Sequence, residues 1–173
     1  MYRRFPDKDA LLETVILHVL QRQEEQLRTA LTPEMTRQIP LPVFAEQTVG
    51  SIVRSSRVYA GFLAAARRFT ETRPHTPFFR QVEKLERRAF DRLIDLVLVH
   101  RRDIRHPDPR GAVAFALLTV VCTVREVVVT SPDLRAWRGI VPADDEQLKK
   151  ALTRSFLAYL GVDSKRLSRS VSP

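Results

Sequence analysis

A chain of 173 residues is long enough to form one domain with a sizeable core, burying roughly 70% of the surface its unfolded form exposes. A lone cysteine, Cys122, excludes an internal disulfide and a thiolate metal cage, and the composition fits a reducing cytosol. The formal charge of +9, from 29 Lys and Arg against 20 Asp and Glu, is compatible with a polyanionic partner, but the arginines are spread along the whole chain and predict solvated helix faces instead.

Glu13, Glu24 and Glu25 sit in and just after the only apolar stretch near the N-terminus, which therefore does not read as a signal peptide. That stretch carries Leu11, Leu12, Val15, Ile16, Val19, Leu20, Leu27 and Leu31 at three- and four-residue steps, the pattern of one buried helix face. Pro6 and Asp7 supply its entry, proline with its fixed φ and aspartate as a cap for free amides. Pro33, Pro40 and Pro42 close the region.

From Val43 to Thr70 the residues Phe44, Val49, Ile52, Val53, Tyr59, Phe62, Leu63 and Phe69 predict one bent helix or two short ones, with the break at Ser55 and Ser56. A proline-bounded loop from Arg73 to Pro77 leads into Phe78, Val82, Leu85, Ala89, Phe90, Leu93, Leu96 and Val97, again at helical spacing. Glu83, Lys84, Glu86, Arg87, Asp91 and Arg92 are read as filling the opposite, polar face.

After the polar loop Arg101 to Arg110 comes a segment, Gly111 to Val129, that is apolar on nearly every side of a helical wheel. Its longest apolar run, Ala112 to Val124, is interrupted only by threonine, stops at Arg125 and falls short of the ~20 residues a spanning helix requires, so it is read as part of a soluble fold. A helix of this kind must be covered all round, by the chain's own core on one side and most simply by a second copy on the other. The loop Ser131 to Pro142 holds the only tryptophan, Trp137. The last helix has Asp144, Asp145 and Glu146 in its first turn, Lys149, Lys150 and Arg154 later, and Gly161 just past its end, an order that suits the helix dipole and a left-handed cap. Its apolar face is Leu148, Leu152, Phe156, Tyr159 and Leu160, and 162–173 reads as a mobile basic tail. With no strand alternation, repeat or glycine-rich phosphate loop, the predicted fold is all-α, about six helices in layers or a bundle.

The opening residues Tyr2, Phe5, Lys8, Leu11 and Leu12 resemble the junction between the DNA-binding and regulatory domains of TetR/AcrR-type transcriptional repressors, where the pattern is Tyr, two residues, Phe, two residues, Lys, two residues, Leu-Leu. The nearly all-apolar penultimate helix and a final helix running from Asp145-Glu146-Gln147-Leu148 to Ala158-Tyr159-Leu160-Gly161 are similar to the family's regulatory half. The resemblance implies that 1–6 are a remnant of the recognition helix and junction, and 7–161 a ligand-binding and dimerisation domain. It implies phosphate-contacting remnants at Tyr2, Arg3, Arg4 and Lys8. It also implies a homodimer through a four-helix interface built from the last two helices of each copy. The interface residues are then Phe115, Leu118, Cys122, Glu126, Leu148, Leu152, Phe156 and Tyr159.

The helices that would complete a helix-turn-helix head are missing, so sequence-specific DNA binding is not expected of this chain by itself. A misassigned start, with Met1 inside a longer reading frame, is one explanation for the abrupt beginning. The rival to a regulator's sensing half is a stand-alone all-α interaction module that forms heterodimers with a complete family member.

The expected effector is small and apolar or amphipathic, held by the aromatics Tyr59, Phe62, Phe69, Phe78 and Phe90, with His18, Thr119, Thr123 and Arg125 as polar groups fixing its orientation. Arg125 and Glu126 interrupt an otherwise apolar helix and need partners, from a ligand or across an interface. His18, His75, His100 and His106 include no pair at i, i+4, so no metal is expected, and no cofactor. Ser51, Ser55 and Ser56 lack a nucleophile-elbow pattern, and Asp144 and Asp145 read as helix-start charges, so no enzymatic activity is expected.

Overall fold

The computed structural model describes residues 5–130, 139–142 and 144–162, and these are helical with no strand among them. Seven α-helices follow one another: α1 (Lys8–Ala30), α2 (Pro33–Gln38), α3 (Leu41–Val58), α4 (Ala60–Glu71), α5 (Pro77–Leu98), α6 (Pro109–Val124) and α7 (Asp145–Tyr159). A 3-10 turn, Arg101–Asp103, follows α5, and a π turn, Arg125–Thr130, prolongs α6.

Side-chain caps explain most of the starts. The Ala10 amide donates to Asp7 Oδ1 at 2.7 Å, Gly111 to Asp108 Oδ1 at 3.1 Å and Gln147 to Asp144 Oδ1 at 2.8 Å, each satisfying an amide the first turn leaves free. Thr32 and Thr76 do the same for α2 and α5, each followed by proline at the first helical position. Pro33 therefore opens a short helix, where the sequence reading had it closing a region. The expected break at Ser55 and Ser56 moves to Tyr59, because the Tyr59 amide still reaches the Ser55 carbonyl at 3.0 Å and keeps α3 intact through that turn. Gly161 takes the left-handed φ of +69° anticipated for a helix end.

Two hydrophobic clusters hold these elements. The larger gathers Leu41, Phe44, Val49 and Val53 of α3, Ile94, Leu96 and Val97 of α5, the inner side of α6 and its π turn, and Leu148, Leu152 and Phe156 of α7. Helices α3 and α7 run antiparallel, fastened by Arg57 to Asp145 at 2.6 Å and Lys149 to Glu46 at 3.3 Å. Gly50 permits their close approach, since a Cβ there would stand 3.0 Å from the Lys149 side chain. The smaller cluster comprises Ile16 of α1 with Phe78 and Val82 of α5, against which Leu12, Leu17, Leu20, Phe62, Ala66 and Phe69 pack. No residue of α4 is fully buried.

Helices α1 and α5 run in the same direction. Arg73 pairs with Asp9 at one end, and Arg92 donates to the Leu31 carbonyl at 2.8 Å at the other. At the foot of α5, buried His100 donates from Nε2 to the Thr36 carbonyl at 3.1 Å and lies 6.3 Å from the Phe44 ring. Counted through its π turn, Pro109–Thr130 spans 22 residues with a mean hydropathy of 2.1 in its most apolar window, which is long and apolar enough to cross a membrane. The apolar run Ala112 to Val124 read from sequence is shorter than this span because Arg125 and Glu126 interrupt it while the helix itself continues. In the fold 44% of that window is buried.

Candidate functional site

Two places combine exposed or loosely covered apolar side chains with polar groups. The first is the outer face of α6 and α7. There Phe115 is 56% exposed, Leu118 49% and Tyr159 44%, with Cys122 and Thr119 also open to solvent. The Phe115 and Tyr159 rings lie 5.3 Å apart, and His106 stacks on Tyr159 at 5.5 Å. Between the two helices runs a groove of about 100 Å³ lined by Phe115, Thr119, Leu152, Ser155, Phe156 and Tyr159. The α7 residues Leu148, Leu152 and Phe156, expected at an interface, are buried within the protomer, and Leu152 and Phe156 contribute the groove floor. Helix α6 thus divides its apolar wheel: Ala112, Val113, Ala116, Leu117 and Val120 go inward, while Phe115, Leu118 and Cys122 go outward.

The second place is the smaller hydrophobic cluster, where side chains of α1, α4 and α5 meet. Phe69 meets Phe78 edge to face at 5.7 Å, and Phe62 packs on the same cluster. These three of the expected ligand aromatics come together. Phe90 packs against the larger cluster instead, and Tyr59 is 52% exposed at the junction of α3 and α4. His18 is exposed on the side of α1 away from Ile16, Thr123 is half-buried on α6, and Thr119 belongs to the first place, its hydroxyl donating to the Phe115 carbonyl at 2.9 Å.

Arg73 lies at the end of this cluster. Its guanidinium lies over the Phe69 ring at 3.6 Å from the centroid, donates to the Phe69 carbonyl at 3.2 Å and to Thr72 Oγ1 at 2.9 Å, and pairs with Asp9. Lys8 is exposed in the first turn of α1, whereas Tyr2, Arg3, Arg4, Trp137 and the tail from residue 163 lie outside the described residues.

The charges on the π turn have neighbours within the chain. Arg125 is close enough to Glu86 on α5 to favour its carboxylate, and the Arg67 guanidinium on α4 bonds Glu71 at 2.7 Å, with Glu126 adding to the pull that keeps it protonated. Glu86 is a residue that the sequence reading placed on the polar face of α5. Its side chain remains exposed, yet surrounding protein strips enough water from the carboxyl to push its pKa above the ordinary value; Arg125 pulls it down and Glu83 pushes it up. Among the described residues no three His, Cys, Asp or Glu side chains converge to hold a metal ion. In comparisons with known proteins, the chain matches no family model, no curated protein and no solved structure.

Proposed function

We propose that this chain is the effector-sensing and dimerisation half of a TetR/AcrR-like transcriptional regulator. The observation that carries the proposal is the outward apolar face of α6, with Phe115 and Leu118 continued by Tyr159 of α7. Large side chains left half open on one contiguous face suit a partner surface, and a face made from two adjacent antiparallel helices suits its own copy related by a two-fold axis. The same two helices are those through which the resemblance implies dimerisation. The space between α1, α4 and α5 is the proposed effector chamber. A small apolar or amphipathic molecule there would shift the population of helix arrangements by binding one better than another.

Sedimentation velocity of the purified chain across micromolar concentrations tests the first element, with a dimer expected; a monomer throughout that range refutes it. The second element is tested by fluorescence titration with the neutral dye Nile red, with and without the substitution Phe69→Ala. Saturable binding weakened by that substitution is expected, and no binding, or binding indifferent to it, refutes the chamber.

A further inference from the structure

Basic residues are spread along the chain, with one concentration. Lys and Arg make up 29 of the 173 residues, whereas the loop from Arg101 to Arg110 carries Arg101, Arg102, Arg105 and Arg110, all of them exposed. The backbone beneath these side chains is fixed to the body of the protein. Ile104 is anchored in the larger cluster at 4% exposure, and the Arg105 amide donates to the Leu160 carbonyl at 3.0 Å, tying the loop to the end of α7. The Asp103 amide donates to the His100 carbonyl at 2.9 Å, and the Asp108 amide to His106 Nδ1 at 3.2 Å. Pro107 and Pro109 restrict the chain further. A partner that engages these arginines therefore has no loop to order first.

The carboxylates of this region are mostly engaged elsewhere. Asp108 Oδ1 accepts the Gly111 amide as the cap of α6, Asp103 lies 3.9 Å from the His100 ring, and Asp95 pairs with Arg110 at 2.7 Å. Among the described residues no carboxylate forms an ion pair with Arg101 or Arg102. The hydrogen bond from His100 to the Thr36 carbonyl brings α2 to the same end with exposed Arg37, whose acidic neighbour is Glu34 one turn earlier. Helix α5 separates this end from the Arg73 and Asp9 pairing at the start of α1 by 22 residues, a length of roughly 33 Å.

We propose that this end of the fold is a sequence-independent contact for nucleic acid, in which Arg101 and Arg102, with Arg105 beside them, hold backbone phosphates. Guanidinium forks match phosphate oxygens two at a time, and a nucleic-acid strand supplies one phosphate per roughly 3.4 Å, a charge density suited to three arginines within five residues. A lipid surface fits less well, because the large apolar side chain of the loop, Ile104, is turned into the core and leaves little to insert between lipids. The contact stands apart from the effector-sensing reading and from Lys8 at the opposite end, and it requires no dimer.

Fluorescence anisotropy with a labelled DNA duplex of arbitrary sequence tests it. Micromolar binding is expected at about 50 mM salt, with log affinity falling against log salt at a slope of about −3 for three phosphates. Arg101→Ala combined with Arg102→Ala should weaken binding about tenfold or more and make the slope shallower by about 2. Arg4→Ala combined with Lys8→Ala removes the same charge from the opposite end, beyond the screening length, and should change binding by no more than about twofold. Circular dichroism checks that both variants are folded. No duplex binding by the unaltered protein, or equal weakening by the two double substitutions, overturns the inference. Flotation with phosphatidylglycerol vesicles supplies the rival anionic surface: capture that depends on Arg101 and Arg102, without duplex binding, assigns the loop to lipid and also overturns it.

Discussion

Replacing Leu118 by arginine puts the proposed dimer face to a quantitative test. Leu118 is 49% exposed in the protomer, so about half of its burial is still available to a partner. Full burial of a leucine side chain is worth roughly 2 kcal/mol, which leaves about 1 kcal/mol per copy and about 2 kcal/mol for a symmetric pair. An arginine in the same place also brings two unpaired charges into a surface made of Phe115, Leu118 and Tyr159, and their desolvation costs about 3 kcal/mol or more. Together these terms weaken association by about 5 kcal/mol, a rise of roughly 10³- to 10⁴-fold in the dimer dissociation constant. The protomer itself should hardly notice. The site is exposed, arginine is a good helix former, and the change in its own stability should stay within about 0.5 kcal/mol. Sedimentation velocity over a concentration series reads the association constant, and circular dichroism melting at a concentration where both proteins are monomeric reads the protomer. A Leu118→Arg protein that dimerises as tightly as the parent would place the interface elsewhere. One that unfolds would show that Leu118 serves the protomer core.

Other outcomes follow from single contacts. Phe44→Ala, which empties a position 1% exposed in the larger cluster beside His100, should cost about 3–5 kcal/mol in urea unfolding. Gly161→Ala should cost about 1–2 kcal/mol, because φ is +69° and the new Cβ would stand 3.1 Å from that of Arg105; the urea midpoint would fall without a change in slope. Arg73→Ala removes the pairing with Asp9 and the stacking on Phe69, worth about 1–2 kcal/mol together, and should speed amide hydrogen exchange in the first turns of α1 more than in α3 or α7. Glu86 gives a pH dependence of definite sign. Its folded-state pKa is raised, so the folded state holds the proton more tightly and stability falls as pH rises from the ordinary carboxylate value through the raised one. Glu86→Gln should therefore unfold at higher urea than the parent at neutral pH, and the difference should vanish below about pH 4, where both states of the parent are protonated. An equal difference at both pH values would sink that reasoning.

Most of the helices were legible because their ends carry chemistry a sequence displays. Asp7 and Asp144 are followed by free first-turn amides, Gly161 by a left-handed turn, and the apolar spacing in α3 and α5 follows the helical repeat. Where the reading failed, one residue type had two meanings. Pro33 ends a helix when its neighbours fail to cap the next one and starts a helix when Thr32 does. Ser55 and Ser56 are poor helix formers in isolation, yet the Tyr59 amide bonds back to Ser55 and tertiary packing of Val49 and Val53 carries α3 through them. At the site, periodicity brought Phe62, Phe69 and Phe78 to the inward faces of their helices, but it cannot say which inward faces meet. Phe90, three turns beyond Phe78, therefore lies against a different cluster.

The π turn shows why the charges at the end of α6 resisted a reading from spacing. A buried charge needs a partner, and two adjacent residues of opposite sign, Arg125 and Glu126, suggest at first that they serve each other or something outside the chain. Adjacent residues on a helix point in different directions and do not face each other. The charge of Arg125 is felt by Glu86 on α5, and that of Glu126 by Arg67 on α4. Val127 and Val128 remain in the core in the same turn. An α-helix widened to the π form accommodates an extra residue per turn, a device common at functional sites. Here it lets the most apolar helix of the fold end in a turn that still contributes to the core while its two charges act on groups of α4 and α5. A change in the spacing of α4 and α5 would alter both charge interactions, which makes this turn the link between the proposed effector site and the proposed dimer helix.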